Sequence, residues 1–235
     1  DGRKMSKSYD NTIPLFGSAK QLKDAIARIV DVQYRQVQQG DVLVNFHGPV
    51  PLSVARDLQR LPGVMDAEPY RTEMVRVRFN GHTVDTAMMG IEADARLMRV
   101  VDETRGAVAM PAQGVVLSAM LARELGARVG DRVWLEFRLW NQTQAEIEVV
   151  DIVHTMFGKL LYMSLSGMNR VARDGEGVAD AALQVDPLVM DDFWGAVRKS
   201  IEGLKNVDEI EIGNSRVAVV EATSEKLILR IGGVN

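Results

Sequence analysis

Apolar and polar residues alternate most cleanly around residues 75–89, where Val75, Val77 and Phe79 are spaced by Arg76 and Arg78 and a second run follows Asn80-Gly81. A period of two puts one set of side chains in a core and the other in water, and Asn-Gly suits the type I′ turn of a tight hairpin. A hairpin of strands 75–79 and 82–89 is therefore predicted. Upstream, Val42, Val44 and Phe46 alternate with Leu43 and Asn45 as a strand would, closed by Pro49 and Pro51. A helix with Leu52, Ala55, Leu58 and Leu61 on one face follows and stops at Pro62-Gly63.

Downstream, Leu117, Met120, Leu121 and Leu125 mark a helix that ends at Gly126, whose missing Cβ suits a left-handed cap. Gly130-Asp131 then turns the chain into a strand at Val133, Leu135 and Phe137, with 145–153 as its partner and 181–185 as a last strand before Asp186-Pro187. Strands and short helices mix without a regular βαβ rhythm, so the fold class is α+β, with mixed sheets rather than a doubly wound one.

The two ends of the chain differ from this middle. Residues 1–30 open with a Lys/Ser-rich loop, followed by Ser18 as an N-cap and Leu22, Ala25, Ile26 and Ile29 at helical spacing. Residues 188–235 begin with a helix whose apolar stripe is Phe193, Val197, Ile201 and Leu204, with Asp191 and Asp192 at its start and Lys199 and Lys205 near its end, as the helix dipole favours. Strands at 209–212, 217–220 and 226–231 complete a small β-meander. Three segments are expected: 1–30, 31–187 and 188–235.

The 28 basic and 32 acidic residues are interspersed, giving a formal charge of −4 with no basic block to track a phosphate backbone. Nucleic acid is not an expected partner on this charge pattern. Cysteine is absent, which removes disulfides, thiolate nucleophiles and Cys-type zinc sites. Every apolar run is broken well before the ~20 residues of a spanning helix. The basic start Asp1-Gly2-Arg3-Lys4 lacks the apolar stretch of a signal peptide.

No catalytic arrangement emerges. His47, His82 and His154 are far apart and form no metal-ligand pair, Gly158-Lys159 is no phosphate loop, and Ser164-Leu165-Ser166-Gly167 lacks the first glycine and the strand-turn-helix context of a nucleophile elbow. Trp134, Phe137 and Trp140, and the stretch Met156, Phe157, Leu161 and Tyr162, read either as core or as an adaptable surface that grips apolar partners.

Two resemblances sharpen this reading. Lys4-Met5-Ser6-Lys7-Ser8 resembles the signature loop of class I aminoacyl-tRNA synthetases, and its flanks resemble the tryptophanyl enzyme. That resemblance implies ATP contacts from Lys4, Met5, Ser6, Lys7 and Ser8, a tRNA partner and a cytoplasmic setting, yet the partner motif of that active site is not found in the chain. The second resemblance covers residues 31–187. Leu61-Pro62-Gly63-Val64 with Glu68-Pro69, then Gly114-Val115-Val116-Leu117-Ser118, Leu125-Gly126, Gly130-Asp131, Leu161-Tyr162-Met163, Asn169-Arg170 and Leu183-Gln184-Val185-Asp186 follow the order of steps in FtsX-like and MacB-like permease ectodomains.

That resemblance implies a non-catalytic domain on the extracytoplasmic face of the cell membrane, held between two membrane helices. It would need no cofactor of its own, would be coupled to ATP hydrolysis on a separate ATPase subunit, and would contact an apolar or lipoprotein-like substrate or a partner protein. In that family residues 31–39 would be the stalk leaving the membrane. A natural fusion or an artificial chimera would account for the two resemblances sharing one chain.

Overall fold

The computed structural model describes residues 37, 39–53, 58–61, 63–138, 143–156, 158–173 and 175–189, and the backbone of three strands at 207–212, 215–220 and 231–232. The predicted helices in 1–30 and 191–205 lie outside these residues.

The predicted hairpin is present and longer than its alternation suggested. Strand β2 (Val64–Phe79) runs into β3 (His82–Ile91) through Asn80 and Gly81, both at positive φ, as a type I′ turn requires. β2 pairs with β3 over its second half, and also with β7 (Arg132–Phe137), which pairs antiparallel with β8 (Gln144–Val153) as expected. β8 lies parallel to β6 (Val115–Ser118), β6 antiparallel to β9 (Leu160–Ser164), and β9 parallel to β3. The ladder returns to its starting strand, so six strands close into a barrel in the order β2-β3-β9-β6-β8-β7. Closure removes the free edges that an open sheet of this length would expose.

The first half of β2 leaves this barrel and pairs instead with β10 (Gly177–Val185), which carries β1 (Val42–Pro51) as the edge strand. Pro49 and Pro51 do not close β1, contrary to the sequence reading. The register slips between Asn45 and Val50, and an edge strand with a bulge tolerates residues that donate no ladder hydrogen bond. Leu58, from the helix predicted at 52–61, is fully buried.

Val75, Val77, Val84, Met88, Val115, Leu117, Val133, Leu135, Phe137, Ile147, Val149, Leu161 and Met163 fill the barrel interior, joined by side chains of two short helices. Helix α1 (Ala119–Leu125) ends at Gly126 as predicted, with φ 72°. Leu117 belongs to β6 rather than to that helix, because Ser118 is the cap: its hydroxyl accepts from Leu121 N at 3.3 Å and from Leu160 N at 3.0 Å. Helix α2 (Leu165–Ala172) follows β9 in the same way, with Ser164 Oγ accepting from Gly167 N at 3.2 Å. The strand-to-helix context that the sequence did not reveal at Ser164 therefore exists, but the hydroxyl is buried and engaged as a cap. Gly90 lets α2 lie on β3, since a Cβ there would sit 2.6 Å from Met168 Sδ.

A second cluster covers the outer face of β6 and β9. Val116, Tyr162 and Val153 point away from the barrel interior and pack with Tyr70, Ile91, Leu97, Met98, Val100, Met110 and Ala182. The lid over them is the 97–110 segment with its small hairpin of β4 (Val100–Asp102) and β5 (Gly106–Val108). The fold is α+β. A separate antiparallel sheet is made by β11 (Val207–Ile212), β12 (Ser215–Val220) and β13 (Ile231–Gly232), as the meander predicted, although its strand at 226–231 is described only from Ile231.

Candidate partner-contacting surface

Alternation on β2, β3, β7 and β8 sends every second side chain outward; Met89 and Val150 pack against the second cluster, while toward the Asn80-Gly81 end the outward side chains are exposed or half-buried. Arg76 lies opposite Asp85 and Glu136, while Arg78 lies opposite Thr83 and Trp134, which in turn faces Glu146. Arg76 grips Asp85 bidentately, Nε to Oδ1 at 2.7 Å and the second guanidinium nitrogen to Oδ2 at 2.8 Å. Those hydrogen bonds hold the Asp85 carboxyl below the usual carboxylate range. Arg78 donates to Glu136, and Arg132 Nε donates to Glu146 Oε2 at 3.0 Å.

Trp134 stands between these pairs with 41% of its surface exposed. Together with Phe79, Asn80, Gly81, His82, Thr83, Arg78, Arg132 and Glu146 it lines a cavity of about 440 Å³ at the hairpin tip. The sequence reading left Trp134 between core and surface. Its position two residues from Arg132 and two from Glu136 is the signal that places it on the wet side of β7.

A buried polar junction lies where β2 changes partners. Arg71 and Glu73 are both enclosed, with guanidinium-to-Oε1 hydrogen bonds of 3.1 and 2.8 Å, and Arg71 also donates to Asn169 Oδ1 at 3.0 Å. Asp180, on β10, accepts from the Asn45 side chain and from Thr72 N at 2.9 Å. Burial pushes its carboxyl up to about 6 against these hydrogen bonds, with the nearby Glu73 adding to the rise. Tyr70, fully enclosed beside it, is pushed well above its ordinary value by burial and by the Asp180 charge.

Asp102 anchors the lid over β6 and β9. Burial alone would raise its carboxyl, but hydrogen bonds from His154 N (2.8 Å), Thr104 Oγ1 (2.7 Å), Thr104 N (2.9 Å) and Arg105 N (3.0 Å) override it and hold it far below the usual range. Arg105 then reaches Asp151 at 2.9 Å, tying the small hairpin to β8.

The residues expected to contact partners are dispersed. Leu161 is fully buried in the barrel and Tyr162 is buried in the second cluster, because β9 is covered on both faces; Met156 is half-buried just beyond β8, and Phe157 lies outside the described residues. Leu161 and Tyr162 are therefore core residues, and burial pushes the Tyr162 hydroxyl up to about 12. Lys4, Met5, Ser6, Lys7, Ser8 and Trp140 lie outside the described residues. Among the described residues no group of His, Asp and Glu could hold a metal ion.

An α+β barrel with a two-strand extension and a charged, tryptophan-bearing outer face is the class of molecule defined here. No protein-family model matches the chain. A 30-residue stretch is 87% identical to tryptophan–tRNA ligases of Pseudomonas aeruginosa and Pseudomonas putida and 83% identical to that of Pseudomonas syringae pv. tomato, covering 13% of this chain and 7% of each enzyme. The chain thus spans about 7% of the length of the curated relatives it matches. Among solved structures it is similar to the extracellular domain of the noncanonic ABC-type transporter YknZ from Gram-positive bacteria, with TM-score 0.48 and 13% identity over 70% of this chain and 95% of that one. It is also similar to the periplasmic region of MacB from Actinobacillus actinomycetemcomitans, with TM-score 0.43 and 15% identity over 69% of this chain and 83% of that one.

Proposed function

We propose that residues 31–187 form a non-catalytic extracytoplasmic domain of an ABC-transporter permease of the FtsX-like type, which contacts a substrate or partner protein and moves as ATP is hydrolysed on a separate subunit. The observation that carries this reading is the meeting of the domain's two ends. Val42 pairs with Leu183, and Asp41 Oδ2 accepts from Val185 N at 2.9 Å, so the chain arrives and departs at one corner. A domain looped out between two membrane helices needs that geometry. Among the described residues no helix is long and apolar enough to cross a membrane, so the spanning helices of this reading would lie elsewhere.

The sequence steps that resemble such ectodomains also fall at positions with structural work to do. Gly63-Val64 leads into β2, and Glu68 accepts from Arg96 N at 2.8 Å and Leu97 N at 2.6 Å, fixing the turn into the lid. Gly126 caps α1, and Asp131 Oδ2 accepts from Arg128 N at 2.7 Å in the turn before β7.

The domain itself has no cysteine, so in an otherwise cysteine-free version of the membrane protein that carries it a single Thr83→Cys at the exposed hairpin end can report sidedness. A membrane-impermeant maleimide added to intact cells should label it; labelling only after lysis would overturn the placement. Deleting residues 42–185 from that membrane protein should abolish transport while leaving ATP hydrolysis measurable. Transport at the original rate would sink the functional reading.

The 30-residue match, 87% identical, favours a second reading for the synthetase-like segment, in which Lys4 and Lys7 contact ATP. Tryptophan-dependent ATP–pyrophosphate exchange by this chain, lost on Lys4→Ala and Lys7→Ala, would establish it. We expect no exchange, because the loop's lysines act on a nucleotide that a preorganised site must hold.

A further inference from the structure

The cavity around Trp134 lies at the opposite end of β2 from Asp41 and Val185. β2 has 16 residues, and at ~3.3 Å per residue its tip stands up to about 50 Å along the strand from the corner where the chain ends meet. Tryptophan and arginine are the side chains that most often dominate binding at protein interfaces, and here one exposed tryptophan is set between two arginines in the lining of one cavity.

The charges facing the cavity are unequal. Arg78 and Arg132 line it, and Glu146 is the one carboxylate that does; Glu136, which accepts from Arg78, stands outside the lining. Each guanidinium is held from one side by a glutamate and keeps 46% and 56% of its side chain exposed, respectively. The ion pairs therefore fix the two cations in place on either side of the indole and leave donor capacity directed at solvent, since a guanidinium carries five N–H groups. The volume of about 440 Å³ suits one or two side chains rather than a folded element. Asn80 and Gly81, at positive φ, form a two-residue rim.

We propose that this cavity receives an extended acidic segment of a partner protein, seating an apolar side chain on Trp134 and an adjacent carboxylate between Arg78 and Arg132. The assignment deepens the partner-contacting reading and rests on it. Binding, however, is measured on the chain alone, so its failure leaves the labelling and transport outcomes standing.

The test is calorimetric titration of the full chain at low salt with a blocked peptide, acetyl-Ser-Asp-Leu-Glu-Leu-Ser-amide, against its charge-reversed form with Lys in place of Asp and Glu. The acidic peptide should bind and the basic one should not. Trp134→Ala and Arg78→Gln should each weaken binding by about tenfold or more, Trp134→Phe should retain most of it, and Arg76→Gln, outside the cavity, should leave it unchanged. Retained secondary structure in each variant, checked by circular dichroism, separates lost contact from lost fold. Equal binding of both peptides, no binding of either, or equal loss on Arg76→Gln and Arg78→Gln would overturn the proposal.

Discussion

Two faces of one barrel make an instructive contrast. Behind β6 and β9 the outward residues Val116 and Tyr162 are buried like the inward ones, whereas toward the hairpin end of β2, β7 and β8 the outward residues Arg76, Arg78, Arg132, Trp134, Glu136 and Glu146 are exposed or half-buried. The strands carry this difference in their own sequences. Val115-Val116-Leu117 and Leu160-Leu161-Tyr162-Met163 are unbroken apolar runs, as strands covered on both sides require, while Val75-Arg76-Val77-Arg78 and Val133-Trp134-Leu135-Glu136 alternate. One face holds the domain together, and the other is left available for contact.

If that contrast is right, truncation on the covered side should be costly. Tyr162→Ala, at a buried position under the lid, should lower stability by about 3 kcal/mol in urea unfolding. A loss under 1 kcal/mol would mean that the lid does not seal β9. The next effect in size depends on pH. The folded protein holds the Asp180 proton more tightly than the unfolded chain does, so this group's contribution is full below about pH 4 and is lost as pH rises through about 6. Across that window Asp180→Asn should flatten the stability profile relative to wild type by on the order of 2 kcal/mol. Identical profiles would show that Asp180 is solvated.

A smaller loss is expected at the hairpin tip. Gly81→Ala has open space for its Cβ but must keep φ +84°, which costs about 1 kcal/mol. Smallest of all, Arg76→Gln on the bare face removes an exposed ion pair, and its thermal midpoint should be indistinguishable from wild type in moderate salt. A clear drop there would erase the distinction between the faces.

Local features were the legible ones. The Asn80-Gly81 hairpin, the β7–β8 pair and the Gly126 cap each follow from a few adjacent residues. Closure of the barrel was not legible, because contacts such as Arg78 to Glu136 join residues 58 apart and no short pattern specifies them. The continuity of β2 through residues 71–74 was not legible because Arg71 and Glu73 sit inside as a mutual pair where apolar residues would be expected. Leu117 and Leu121 share helical spacing, which hid the strand-to-helix switch at Ser118. α2 was hidden by Ser166 and Gly167, poor helix formers in a segment too short for periodicity to register. For the surface, alternation was enough to put Trp134 outside, but only the fold brings Arg78 and the hairpin tip to its side.

The shared corner of Asp41 and Val185 also sets how the domain bears mechanical load. A force that separates its two ends acts across β1 and β10 and peels their hydrogen bonds one at a time from Val42–Leu183 onward, as a zipper opens. A force that carries both ends the same way leaves that ladder unloaded and tilts the closed barrel as one body, turning a small rotation at the corner into a larger sweep at the Asn80-Gly81 tip.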